Sequence, residues 1–303
     1  MNRGVAVLLL ILSMASLTIG ASLAKSLFEL AGPSATTVVR IGIGALVLCL
    51  ARRPWRHRLS LGEWKVVAAY GVTLGLMNLM FYSAIARLPI GLAIAIEFLG
   101  PLGVALWFSK RWLDLAWAGL AAAGVFFVLP LGADSTELAT HIRAQSISWS
   151  GVAFALGAAI TWAIYILIGK HASGRIHAGA TTAYGMLIGF LVTVPFGIFH
   201  VAPLFSTPTL ILTSIGVGLL SSAIPYSLEM VALKYVPEYY FSLLLSLEPA
   251  IGAVSAFFLL HEHLTPQQLI AVACIIAASV GSTVSQKRLA PAVTPDGVPP
   301  PAI

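Results

Sequence analysis

AIEFLGPLGVALWFSKRWLDLAW (95–117) is an apolar run carrying one glutamate, Glu97, just ahead of the pair Gly100-Pro101. SLEPAIGAVSAFFLLHEHLTPQQ (246–268) repeats the plan with Glu248 directly before Pro249. A single offset of 151 positions lays Glu97 on Glu248 and the polar junction at Asp114 on Thr265. Upstream, Leu88-Pro89 and Val236-Pro237 each close one apolar run and open the next, at a nearly equal offset of 148. Few other residues match, so what recurs is the placement of breaks and charges.

Outward from these two stretches, the chain divides into apolar runs of roughly 20 residues, the length that crosses a bilayer core. They lie at 4–24, 34–51, 64–86, 90–109, 115–131, 148–169, 180–200, 208–232, 239–260 and 265–284. Of the 303 residues, 59% are hydrophobic and only 9% charged, against about a quarter charged in soluble domains. A soluble catalytic domain is excluded, and no connection is long enough to house one. The expected fold is an all-α polytopic membrane protein of ten transmembrane helices. The longest connection, 132–147, separates a first unit, 1–147, from a second, 148–288. Because five is odd, the second copy enters the membrane from the opposite face, making two inverted five-helix repeats of the kind alternating-access carriers use. The tail 289–303 holds five prolines; it is expected to be disordered and cytoplasmic, with no assigned role.

Net charge is +6, and its placement sets orientation, since cytoplasmic loops retain Lys and Arg. With the N-terminus inside, thirteen basic residues, including Arg3, Arg52, Arg53, Arg56, Arg58, Lys170 and Arg175, fall on the cytoplasmic side; Lys25, Arg87 and Arg143 fall outside and Arg40 within a span. Both termini are therefore expected in the cytoplasm. The stretch RRPWRHR (52–58) reads as a juxtamembrane anchor and not as a nucleic-acid patch. The first run resembles a signal-peptide core, but an uncleaved span keeps the count and the orientation consistent. Cys49 and Cys274 both lie in apolar runs, so no disulfide framework is expected.

An ionisable side chain near a helix centre costs about 2.5–3.5 kcal/mol to insert, so each such residue needs a partner or a task. Arg40, Glu97, Glu229 and Glu248 are the candidates. Arg40 and Glu97 lie at a common depth from the outer surface. They are expected to face one cavity, either paired with each other or dividing between them the opposite charges of a cargo. Glu97, Glu248 and Glu229 are staggered toward the cytoplasmic side and are the candidates for proton coupling. Lys25 either snorkels to the interface or serves as a reserve carboxylate partner. Asn78, Tyr82, Trp162, Tyr165, Tyr226 and Ser227 are candidates to line the cavity, and Gly100, Pro101, Pro225 and Pro249 are the expected helix breaks. Proline removes a donor and frees a carbonyl, and such backbone persists in a bilayer only where protein or a watery cavity covers it. Gly71 with Gly75, and Gly185 with Gly189, read as helix contacts. His261-Glu262-His263 has spacing ill suited to a metal, so neither metal nor cofactor is expected.

The strings ASLAKSLF, TTVVRIGIG, IAIEFLGPL, IPYSLEMVAL and LSLEPAIGAVSAFFLLHEHLTPQQL together resemble the EamA branch of the drug/metabolite transporter superfamily over residues 5–285, with Ala256 where that last string ordinarily has glycine. The resemblance implies ten helices in paired inverted repeats, cytoplasmic termini, residence in the bacterial inner membrane, and export driven by the proton gradient. Within the branch it implies small amino acids of the threonine and homoserine kind as cargo. An amino acid asks for one cationic and one anionic group, which Arg40 and Glu97 supply. The substrate-contact set is then Arg40, Glu97, Lys25, Asn78, Tyr82, Tyr165 and Tyr226. A second reading is export of aromatic or cationic drug-like metabolites, held by a glutamate and stacked rings; a fixed cation at Arg40 weighs against it. A membrane-embedded lipid-modifying enzyme would need paired acids or metal ligands at a membrane face.

Overall fold

The computed structural model describes residues 3–107, 112–128, 148–172, 175–232, 244–245, 247–262 and 264–287, and all regular structure in them is helical. The elements are α1 (Arg3–Ser26), α2 (Phe28–Arg52), α3 (Leu61–Ile85), α4 (Ile90–Glu97), α5 (Leu99–Trp107), α6 (Trp112–Val128), α7 (Trp149–Ala172), α8 (Ala178–Gly197), α9 (Pro208–Gly218), a π-turn (Leu219–Ala223), α10 (Ile224–Ala232), α11 (Glu248–Leu260) and α12 (Pro266–Lys287). Six stretches are long and apolar enough to cross a membrane: Val7–Ser26, Phe28–Arg52, Leu61–Ile85, Trp149–Ala172, Gly179–His200 and Pro208–Glu229. Shorter apolar helices occupy Ile90–Val104, Leu115–Gly124, Glu248–Leu260 and Pro266–Gly281. The connection 132–147 and the tail 289–303 lie outside the described residues.

Local chemistry sets the helix ends. Ser60 opens α3 with a capping box: its hydroxyl accepts from the Glu63 N–H at 3.3 Å while the Glu63 carboxylate accepts from the Ser60 N–H at 2.7 Å. Arg53, at φ 46°, closes α2 in the left-handed conformation. Gly32, at φ 76°, and Pro33 kink the start of α2, which is why the sequence places that span only from residue 34. Gly100-Pro101 is the expected break of the fourth run, yet the helix is interrupted one turn earlier, at Phe98. Pro101 has no N–H for the Glu97 carbonyl four residues back, so the fault opens at that carbonyl. A turn at Leu247 likewise precedes Glu248 and Pro249, which begin α11.

The outer surface is apolar: Leu46, Leu191, Leu212 and Phe258 are exposed. The interior holds Ser13, Ser22, Thr36, Thr37, Arg40, Asn78, Glu97 and Glu248. That inversion of the soluble pattern suits a lipid solvent, since hydrocarbon tails accept apolar side chains and reject polar ones. At the centre lies α4, every residue of which is buried. α3 packs on α7 and α8, α2 on α8 and α9, α6 on α12, and α1 on α10 and α11; α4 packs on α7 and α11. Close approach of α3 to α8 needs their small residues: a Cβ added at Gly71 would lie 2.7 Å from the Gly185 oxygen, and one at Gly75 2.8 Å from the Gly189 oxygen.

Candidate functional site

A cavity of about 480 Å³ opens between the two halves of the chain. From the first half it is lined by Leu17, Thr18 and Ala21 of α1, Arg40 of α2, Met77, Asn78 and Phe81 of α3, and Glu97, Phe98 and Pro101 about the α4–α5 break. From the second half come Trp162 and Tyr165 of α7, Pro225, Tyr226 and Glu229 of α10, Glu248 at the start of α11, and Ser279 of α12. The two proline-broken regions thus meet in one space, where irregular backbone is tolerated.

Arg40 is 3% exposed. Its Nη1 donates to Asn78 Oδ1, and its Nη2 donates to the Ser221 carbonyl at 2.7 Å. The Tyr82 ring lies beneath, 4.8 Å from Cζ to centroid, an arrangement that holds a planar cation over the negative ring face. Asn78 is fixed in turn by its amide, which donates to the Leu74 carbonyl at 2.8 Å. Glu97 and Glu248 are 8% and 6% exposed and approach the cavity from α4 and α11. Among the described residues Arg40 forms no ion pair; Glu262 pairs with Lys25 instead. Of the two expected arrangements, cation and anions line one hollow without pairing directly.

Glu229 accepts from the Ser13 hydroxyl at 3.2 Å, and the same hydroxyl donates to the Pro225 carbonyl at 3.0 Å. Tyr165 stacks on Tyr70 with ring centroids 4.5 Å apart and their hydroxyls hydrogen-bonded. Trp162 meets Phe98 edge-on at 5.6 Å. Thr18 and Ser255 join hydroxyls at 2.9 Å, tying α1 to α11 beside the cavity.

Several expected residues stand elsewhere. Lys25 does not line the cavity; its ammonium pairs with Glu262 and donates to the Leu88 carbonyl at 3.0 Å. Tyr82 is buried under the guanidinium and supports it without reaching the hollow. Gly100 packs against the Ala159 backbone and Pro249 is buried at the start of α11, neither at the lining. Ser227 donates to the Ala223 carbonyl, one turn back at the end of the π-turn, at 2.6 Å. Glu262 serves as the ion-pair partner, and no group of three His, Cys, Asp or Glu converges among the described residues; His263 is outside them. The sequence reading missed Phe98, Thr18, Ser279, Tyr70 and the Ser221 carbonyl. A backbone oxygen carries no residue-type signal, although its position four residues before Pro225 does mark it.

Comparison with known proteins gives this arrangement a family. The chain is 44% identical to the threonine/homoserine exporter RhtA of Escherichia coli K12 over 282 residues, 93% of this chain and 92% of that one. It is 42% identical over the same shares to the threonine/homoserine exporter RhtA of Salmonella typhimurium LT2. A crystal structure of another protein superposes with a TM-score of 0.62 at 19% identity, covering 95% of this chain and all of that one, a likeness of fold alone. The profile of the EamA-like transporter family matches residues 149–284, the part that contributes Trp162, Tyr226, Glu229 and Glu248 to the cavity. With a family profile on its second half and full-length relatives at this identity, the chain belongs to the EamA-like transporter family.

Proposed function

We propose that the protein is a secondary active exporter of small hydroxylated amino acids, threonine and homoserine among them, working by alternating access in exchange for protons. Its setting is the bacterial inner membrane, with both termini cytoplasmic. The observation that carries this reading is a buried guanidinium on a cavity whose carboxylates, Glu97 and Glu248, form no ion pair with it. A zwitterion has the complementary charges: its carboxylate answers Arg40 and its ammonium answers a glutamate. The names of the RhtA relatives agree in cargo.

The same proposal reads ten spans as two inverted repeats, 1–147 and 148–288, with α4 and α5 as one span broken at Phe98 and α9, the π-turn and α10 as another. Its support is the packing. Adding five to each span number carries the third–sixth contact to the eighth–first, the fourth–sixth to the ninth–first, and the third–seventh to the eighth–second; the second–seventh, fourth–ninth and fifth–tenth contacts map onto themselves. Glu97 and Glu248 exchange under the same operation. Such interchangeability lets one packing scheme open first to one side and then to the other.

The test is export of labelled threonine and homoserine from cells expressing the chain, beside Arg40→Ala. Efflux through the wild type that collapses in the variant is the expected result; equal efflux overturns the carboxylate clamp. Rings at Phe81, Phe98 and Trp162 on the cavity wall support the second reading, aromatic or cationic cargo. A resistance panel that includes cationic dyes separates the two, because a fixed cation repels dyes and attracts carboxylates.

A further inference from the structure

The π-turn leaves two carbonyls without their ordinary helical partners, and both can be followed to new ones. The Ile224 N–H turns to the Leu219 carbonyl, five residues back, so the Leu220 carbonyl loses its usual donor; the Ser16 hydroxyl of α1 takes it at 2.7 Å. Residue 225 is proline and has no N–H, so the Ser221 carbonyl is open as well, and Arg40 Nη2 takes that one. On its other side the guanidinium is held by Asn78 Oδ1. Both acceptors are neutral. Arg40 Nε is buried without a hydrogen-bond partner, so the protein saturates neither the donors nor the charge of this side chain.

We propose that Asn78 and Pro225 are positioning residues that reserve Arg40 for the carboxylate of the cargo: Asn78 by offering a neutral oxygen, Pro225 by releasing the Ser221 carbonyl to the guanidinium. Two neutral acceptors aim the cation at the cavity without cancelling it. A carboxylate at either place would hold the guanidinium equally well and would occupy it as cargo does. This inference rests on the reading of Arg40 as the carboxylate site, and it makes specificity depend on what the protein withholds from that site as well as on what it places there.

Asn78→Asp is the decisive variant, because it keeps the shape of the side chain and supplies an internal carboxylate within reach of Arg40. The measurements are the thermal stability of the detergent-purified full chain, its stabilisation by L-threonine, and a parallel titration with threoninol, which keeps the ammonium and hydroxyl but lacks the carboxylate. Asn78→Asp gains a charge pair with Arg40 but gives up the amide's bond to the Leu74 carbonyl, so its melting temperature falls or holds with the balance of the two, while the half-saturating threonine concentration is expected to rise roughly ten- to a hundredfold. A merely structural asparagine would instead keep the half-saturating threonine concentration and the threonine-to-threoninol ratio, whatever its stability. Pro225→Ala restores an N–H that competes for the Ser221 carbonyl and is expected to raise half-saturation several-fold. In both variants the ratio of threonine to threoninol response falls toward one.

Wild-type half-saturation in either variant overturns the assignment for that residue. Should Pro225→Ala fail to fold, the isosteric Asn78→Asp still decides the inference. Arg40→Ala separates the two levels: an unaltered threonine response there sinks the carboxylate site itself, whereas a lost response there beside an unaltered one in Asn78→Asp sinks the positioning role alone.

Discussion

Glu97 and Glu248 are 151 positions apart in two similarly patterned stretches, yet their neighbours differ: Glu97 ends α4 beside the break at Phe98, and Glu248 begins α11. If a proton and a cargo ammonium alternate at the Glu97 carboxylate, Glu97→Gln removes the exchangeable proton while keeping volume and polarity. Proteoliposomes with an imposed pH gradient then show threonine-driven proton flux reduced roughly tenfold or more, and undiminished flux removes Glu97 from coupling and turns attention to Glu248→Gln. The convergence of Arg40, Asn78, Glu97, Tyr165, Tyr226, Glu229 and Glu248 on one cavity was readable in advance, because a bilayer penalises such groups anywhere else. Lys25 and Tyr82 were harder. A lysine at a helix end looks the same whether it snorkels, binds cargo or forms an ion pair, and the partner that decides the matter, Glu262, lies 237 positions away.

Among the elements, α3 shows how few residues set a helix contact. Gly71 and Gly75 let it meet α8 backbone to backbone, and an added Cβ at Gly71 would fall 2.6 Å from the Ile188 Cβ. Neither neighbour is the far end of a flexible side chain, so one helix has to move. Gly71→Ala is therefore expected to destabilise by about 1–3 kcal/mol, as overpacked cores do, whereas Gly103→Ala on α5, with nothing within 4 Å of the new Cβ, gains roughly 0.5–1 kcal/mol of helix propensity. Denaturant titration in detergent compares the two, and equal effects refute the contact. Spans and small-residue pairs were visible in the sequence because they follow from length, apolarity and spacing. The location of the break was not: proline marks the donor that is missing, while the helix fails at the acceptor left behind, one turn earlier at Phe98.

For the whole molecule the question is what joins the two halves that meet at the cavity. The cavity is uneven in charge, since the first half gives it Arg40 while the second gives it Glu229 and Glu248 and no cation. Beyond the lining, Glu262 from the second half reaches two points of the first. It pairs with Lys25 at the end of α1, and its other oxygen accepts from the Ile90 N–H at 2.9 Å, capping a helix whose own N-cap, Pro89, offers no side-chain acceptor. Lys25 then donates to the Leu88 carbonyl, closing the loop onto the α3–α4 turn. With side chains 23% and 17% exposed, the pair is partly screened, and a double-mutant cycle over Lys25→Ala and Glu262→Ala is expected to give a coupling of about 1 kcal/mol. Glu262→Ala should cost more than Lys25→Ala, because it also strips the first N–H of α4 of its acceptor, whereas Lys25→Ala leaves that carboxylate at the helix N-terminus, where the dipole favours it. Equal single-variant losses, or a coupling of zero, mean that the ion pair and the cap do not act together as a clasp between the halves.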